Sequence, residues 1–115
     1  MKGKSGDKQR LFHILDAIDE IQQYTLGVDI NAFLKNSMMR FACIKQIEII
    51  GEAANSLSSE TKAMFDEVEW KKIIGMRHIL VHEYFGVDFE LIWQVILADL
   101  PILGENIRSV LNAGI

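Results

Sequence analysis

The side chains best suited to chemistry in this sequence lie close together, between residues 75 and 86. Arg77, His78, His82, Glu83 and Tyr84 fall within eight consecutive positions, and they include two of the three histidines of the chain. Arginine binds a phosphate through two N–H groups, and histidine exchanges a proton near neutral pH. A permanent cation, a titratable base and a phenol at this spacing indicate chemistry on a phosphate ester.

One candidate site pairs Arg77 with His82. Cleaving RNA without a metal ion requires a base to remove the proton of the ribose 2′-OH and cationic donors to stabilise the charged phosphorane. His82 can supply the first and Arg77 the second. An Arg and a His at this spacing also occur often by chance, and the alternative is a helix end whose polar groups cap carbonyls.

A second candidate pairs His78 with His82, which are four residues apart, the spacing of two imidazole ligands on one face of a helix. The zinc-protease pattern needs Glu directly after the first His, and Ile79 stands there. No third ligand is evident, although His13 could lie near in space. We therefore expect neither a metal site nor a cofactor.

The spacing of Arg77 and His82 restricts how they can share a site. On a continuous helix, residues five apart point about 140° away from each other. Either the helix ends near Val81 and the chain turns, or a second copy of the protein supplies one of the groups. Gly86 and the cap-like Asp88 indicate that the helix ends nearby.

Composition limits the remaining possibilities. The chain has 115 residues, of which 50% are hydrophobic and 24% charged, a balance typical of one soluble globular domain. No apolar run approaches the ~20 residues that span a bilayer. The single cysteine, Cys43, predicts a buried thiol in a cytoplasmic protein without disulfides. The net charge of −4 argues against broad nucleic-acid binding but leaves a local basic site open.

The hydrophobic periodicity indicates helices throughout, and no segment shows the alternation of apolar and polar residues that is typical of a strand. The fold class is therefore all-α, an antiparallel bundle of four to five helices. We expect residues 1–9 to form a flexible tail and residues 10–115 to form a single domain. The predicted helices cover residues 10–26, 30–35, 37–57, a short turn from 58, 70–81, and the stretch after Asp88.

Three details of these helices bear on the site. The apolar surface of 37–57 is broad enough to be buried on two sides, one against the core and one against a partner. Gly51 would let a neighbouring helix approach closely. Glu52 is interpreted as a surface residue, and the alternative is that it lies beside a functional site. Pro101 lies within the apolar stripe of the last helix, and the stripe stays on the same helical face before and after the proline. This pattern predicts a kinked C-terminal helix with the kink near 97–101.

The segment 74–86, IGMRHILVHEYFG, resembles the signature of the HepT-like ribonucleases of the HEPN superfamily. The core of that signature is Arg, four residues, His, any residue, Tyr. The resemblance extends to the family's opening helix at 10–18 and to its second helix at 47–54. Trp70 and the residues 99–101 also fit.

The resemblance implies a HEPN-like bundle that forms a homodimer with its active site between the subunits. It also implies a toxin of a type VII-like toxin–antitoxin system that cleaves RNA, with tRNA as one candidate, without a metal. Carried over by position, Arg77 and His82 would be catalytic. His78 departs from the family, which often has Asn there, and His78 and Glu83 are candidate auxiliary residues. The antitoxin partner would be an MntA-type nucleotidyltransferase that silences the toxin by AMPylation of Tyr84.

Two other functions stay open. One is a non-catalytic helical module that binds a nucleotidyltransferase or a nucleotide; the negative net charge favours it, whereas the set of Arg77, His82 and Tyr84 favours the enzyme. The other is a metal-dependent hydrolase, which would lose its activity in a chelator.

Overall fold

The computed structural model describes the backbone of residues 2–82 and 88–114 and the side chains of residues 6–77 and 88–114. Within these ranges the chain is helical and contains no strand, so the prediction of an all-α bundle is confirmed. The helices are α1 (Lys2–Tyr24), α2 (Ile30–Lys35), α3 (Ser37–Asn55), α4 (Ser59–Met64), α5 (Trp70–His82), α6 (Phe89–Gln94) and α7 (Leu100–Asn112), with a π-helical turn (Val95–Asp99) between the last two.

The core forms where α1, α3, α5 and α7 meet. Helices α1 and α3 run antiparallel. Asp7, near the start of α1, bonds to Ser58, which lies just after the end of α3, and the Gln46 amide in the middle of α3 donates to the hydroxyl of Tyr24, the last residue of α1, at 3.2 Å. One stripe of α1 is fully buried, and it consists of Leu11, Ile14, Ile18 and Ile21. No described helix combines the length and apolar character needed to cross a bilayer.

Three helices begin at the capping residues that the sequence predicted. Asp29, Ser58 and Asp88 each accept hydrogen bonds from backbone N–H groups in the first turn of α2, α4 and α6. Such caps satisfy donors that have no partner within the helix. Gly27, just after α1, has a φ of +72°, a conformation that glycine adopts without steric cost.

The predicted start of the first helix at residue 10 is wrong. The helix begins at Lys2, and Asp7 is completely buried against the start of α4. The Asp7 carboxylate accepts hydrogen bonds from the Ser58 N–H at 3.0 Å, from the Ser58 hydroxyl at 2.6 Å and from the Thr61 hydroxyl. Because these donors compensate the buried charge, residues 6–9 are part of the bundle and not of a flexible tail.

The interruption expected near 97–101 takes the form of the π-helical turn. The Leu100 N–H donates to the Val95 carbonyl, five residues back, and Pro101 follows at the start of α7. In an α-helix Pro101 would leave the Leu97 carbonyl without its donor and clash with it. A wider turn at this point lets the apolar stripe continue through the proline.

The two sides of α3 differ in this structure. One side is buried in the core and comprises Cys43, Ile47, Ile50, Gly51, Ala53 and Ala54. On the opposite side Met38 and Phe41 are 80% and 51% exposed. The burial expected against the core is therefore present, and burial of the second side by a partner stays a prediction.

Candidate functional site

Arg77 is the predicted site residue whose side chain the structure describes, and close packing of α5 on α3 positions it. A β-carbon placed on Gly51 would lie 2.9 Å from the Arg77 Cβ and 3.5 Å from the Ile73 carbonyl oxygen. Any side chain at position 51 would therefore push the two helices apart. The close approach expected at Gly51 is confirmed, and it brings the start of the Arg77 side chain directly against α3.

The Arg77 guanidinium makes one ion pair with α3. Its Nη1 donates to Glu52 Oε1 at 3.0 Å, and its Nε is buried without a hydrogen-bond partner in the described part of the chain. The Arg77 side chain is 20% exposed and that of Glu52 is 66% exposed. Glu52 is thus a surface residue, as interpreted, and it also lies beside the candidate site.

A groove of about 660 Å³ opens next to this ion pair. It runs along the seam of α1 and α3, and Arg77 contributes from α5. The lining residues are Gly6, Gln9, Arg10, His13, Lys45, Glu48, Ile49, Glu52, Ala53, Ser56 and Arg77. Three permanent cations, two carboxylates and one histidine therefore share one open surface, an arrangement that can bind an anion of extended shape.

Three groove residues were not predicted as parts of a site. The sequence suggests His13 only as a third metal ligand that could lie near in space, and it does not assign Arg10 or Lys45 to the site of Arg77. A partial signal exists in the spacing, since Arg10 and His13 are three apart and share one face of α1. The helix that packs against this face is determined by contacts between residues far apart in sequence. The periodicity of a single helix does not predict such contacts.

Helix α5 continues through His82. Arg77 and His82 therefore occupy positions about 140° apart around one helix axis. The described part of α5 ends at His82, next to the predicted end at Val81, and residues 83–87 lie outside the described ones, so the turn of the chain and the second copy both stay predictions. The side chains of His78 and His82 lie outside the described residues, so the two histidines keep their roles only as predictions.

Glu83 and Tyr84, the predicted auxiliary residue and the predicted site of AMPylation, lie outside the described residues altogether. The described side chains form no group of three His, Cys, Asp or Glu residues that could hold a metal ion. This finding does not test the pair of His78 and His82.

Two buried ionisable groups have shifted pKa values. Burial raises the pKa of the Cys43 thiol to about 11, so this cysteine is neutral and packs as an apolar residue, as predicted. Burial alone would raise the pKa of Asp7, but hydrogen bonds from Ser58 and Thr61, with the charge of Arg10, hold it below its ordinary value. Neither group is placed to act on a substrate.

Known proteins resemble this chain over most of its length. The family described as "Ribonuclease HepT-like" matches residues 14–110. A protein of Methanocaldococcus jannaschii named "Putative RNase" is 36% identical across 90% of this chain and 94% of its own length. Caldanaerobacter subterraneus subsp. tengcongensis has a "Putative RNase" that is 37% identical, across 89% and 91% of the two chains. The "Probable ribonuclease HepT" of Thermococcus cleftensis is 35% identical, across 87% and 91%. No solved structure matches.

Proposed function

This chain belongs to the HepT-like ribonuclease family, and from that premise we propose that it is an RNA endonuclease that needs no metal ion. The observation that carries the proposal is the setting of Arg77. Its guanidinium lies at a cationic groove, and its carboxylate partner is mostly exposed. An exposed ion pair is worth little free energy, so a phosphate can replace Glu52 on Arg77 at small cost.

In the proposed reaction Arg77 holds the scissile phosphate and His82 moves the proton. A base removes the proton of the 2′-OH, and the 2′-oxygen forms a bond to phosphorus while the bond to the 5′-oxygen breaks. The leaving 5′-oxygen takes up a proton from an acid. Histidine can serve as base or acid near neutral pH, and the arginine stabilises the charge that develops on the phosphorane. His78 and Glu83 are proposed auxiliary groups.

We propose that the active unit is a homodimer. Arg77 and His82 lie on different sides of the same helix, which is difficult to reconcile with one site built from a single copy. A second copy resolves this if Arg77 of one subunit works with His82 of the partner subunit. The exposed Met38 and Phe41 of α3 support the proposal, because they offer an apolar surface for such a contact.

The proposed regulation is AMPylation of Tyr84 by an MntA-type nucleotidyltransferase, the antitoxin of a type VII-like system. Tyr84 follows Arg77 by seven positions in the sequence. Adding AMP would place a negative phosphate near Arg77, where it would compete with the phosphate of the RNA. The target RNA, with tRNA as one candidate, and the cytoplasmic location belong to the same proposal.

A non-catalytic binding module is the second candidate. The observations that favour it are the net charge of −4 and the two carboxylates, Glu48 and Glu52, that line the groove beside its cations. Both weaken the attraction of a polyanion to this surface.

RNA cleavage by the purified protein in excess chelator tests the proposal, with wild type beside His82→Ala. Intact mass must show that Tyr84 is unmodified, and thermal melting must show that the variant is folded. We expect cleavage by wild type alone. Cleavage by neither protein, with or without chelator, would overturn the nuclease in favour of the binding module. Cleavage that the chelator abolishes would indicate a metal-dependent hydrolase instead.

A further inference from the structure

The groove extends its positive charge well beyond Arg77. Arg10 and His13 lie on one face of α1, and Lys45 lies on α3, seven positions before Glu52. Seven residues of α-helix span about 10 Å, so Lys45 lies roughly that far along the groove from the Arg77–Glu52 pair. The cations thus line a track instead of surrounding a single point.

We infer that this track binds the backbone of single-stranded RNA next to the scissile phosphate, with Lys45, His13 and Arg10 as phosphate contacts. The inference rests on the proposed function and adds residues to it. Proteins that bind single strands use a positively charged groove that follows the backbone, and lysine and arginine supply most of the phosphate contacts. Lys45 and His13 are exposed, so both are accessible to a strand that lies in the groove.

The charge of the chain as a whole explains why such a contact would be confined to the groove. The net charge of −4 repels RNA from most of the surface, whereas the groove carries three permanent cations against two carboxylates. Arg77 pairs with Glu52 and Arg10 pairs with the buried Asp7, so the charges around the groove roughly cancel, whereas the chain as a whole is negative. The local balance therefore favours a polyanion here more than over the chain as a whole.

The ligand is a strand and not an isolated phosphate or nucleotide. A mononucleotide would need one cation cluster, and its affinity would depend little on residues 10 Å away. A strand uses all the cations at once, so each of them contributes to its affinity and to the salt dependence of binding. Competition by AMP distinguishes the two ligands.

The experiment measures anisotropy of a short fluorescein-labelled single-stranded RNA in chelator, with His82→Ala as the background so that the RNA stays intact. Lys45→Gln and His13→Gln are introduced separately. The matched control is Lys8→Gln, which removes one positive charge from the side of α1 that faces away from the groove. All of these side chains are on the surface, and melting temperatures confirm that each variant is folded.

We expect Lys45→Gln to weaken RNA binding roughly tenfold, since it removes one charge-assisted contact, and to lower the salt slope by about 0.7. His13→Gln should weaken binding by a smaller factor, and Lys8→Gln should bind as the background does. AMP at a concentration comparable to that of the RNA should not displace it.

Failure of the inference and failure of the proposed function have different outcomes. Equal RNA affinity for Lys45→Gln, His13→Gln and Lys8→Gln would overturn the inference, even if wild type cleaves RNA. Absence of RNA binding, or displacement by AMP at that concentration, would overturn it as well. Groove-dependent binding by a wild-type protein that cleaves nothing would sustain the inference and overturn the nuclease.

Discussion

Asp7 and Glu52 each connect two helices, and the surroundings of these two carboxylates are opposite. Asp7 is fully buried and accepts hydrogen bonds from Ser58 and Thr61, whereas Glu52 is 66% exposed and pairs with Arg77. A buried charge must keep its partners, since losing one leaves an uncompensated group in a medium of low polarity. An exposed pair can exchange its partner for water or ligand at little cost. Asp7 is therefore suited to holding the scaffold, and Glu52 is suited to the proposed exchange in which a phosphate replaces it on Arg77.

Arg10 connects the two regions. Its Nη1 lies 3.5 Å from Asp7 Oδ1, and the same side chain lines the groove that contains Arg77. The anchor that holds the beginning of α1 against α4 therefore also positions one wall of the candidate site. The following predictions test this contrast between a fixed anchor and an exchangeable pair.

The largest effect is expected from Asp7→Ala. It leaves the buried donors of Ser58 and Thr61 without an acceptor, which should cost about 2–4 kcal/mol of the free energy of unfolding. Denaturant unfolding followed by circular dichroism measures the loss. Asp16→Ala is the matched control, because Asp16 is exposed on the same helix and should change stability by less than about 0.5 kcal/mol. Equal losses for the two variants would contradict the role of Asp7.

Gly51→Ala should destabilise by about 1–3 kcal/mol, since the new Cβ would lie 2.9 Å from the Arg77 Cβ and force α5 away from α3. Gly75→Ala is the control on α5. Its Cβ meets no described atom within 4 Å, so the variant should gain about 0.5–1 kcal/mol from helix propensity. Thermal unfolding of both compares them directly. A stabilised Gly51→Ala would mean that the two helices are not in close contact.

A smaller effect is expected in acid. The pKa of Asp7 is lower in the folded chain than its ordinary value of 3.8. The folded state therefore binds this proton less tightly than the unfolded state, and the resulting stability is complete above about pH 4. It is lost as the pH falls through the folded pKa. The unfolding free energies of wild type and Asp7→Asn should converge as the pH falls over that range. If the two free energies instead changed in parallel with pH, the pKa of Asp7 would not be lowered in the folded chain.

The smallest change in stability is expected from Glu52→Gln, less than about 0.5 kcal/mol, because the pair with Arg77 is exposed. The same variant removes a negative charge from the groove, so it should bind single-stranded RNA more tightly than the unaltered protein. Anisotropy with labelled RNA measures this. Weaker binding would show that Glu52 holds Arg77 in its working orientation and is not its competitor.

Local features made much of the fold predictable. Asp29, Ser58 and Asp88 cap helices through hydrogen bonds to residues two or three positions away, and Gly27 adopts a positive φ in the turn after α1. Such interactions are visible in a short stretch of sequence, as is the periodicity of an apolar stripe. The cluster around Arg77 was found in the same way, because its members are neighbours in the chain.

The sequence by itself thus determined the helices, the caps at Asp29, Ser58 and Asp88, the all-α class and the segment on which the chemistry is proposed. Only the tertiary structure decided that Asp7 is buried, since its partners Ser58 and Thr61 are 51 and 54 residues away. It also decided that His13 and Lys45 share a groove with Arg77. The physical reason is that helix propensity and capping act within one or two turns, whereas a groove exists only where the faces of different helices meet.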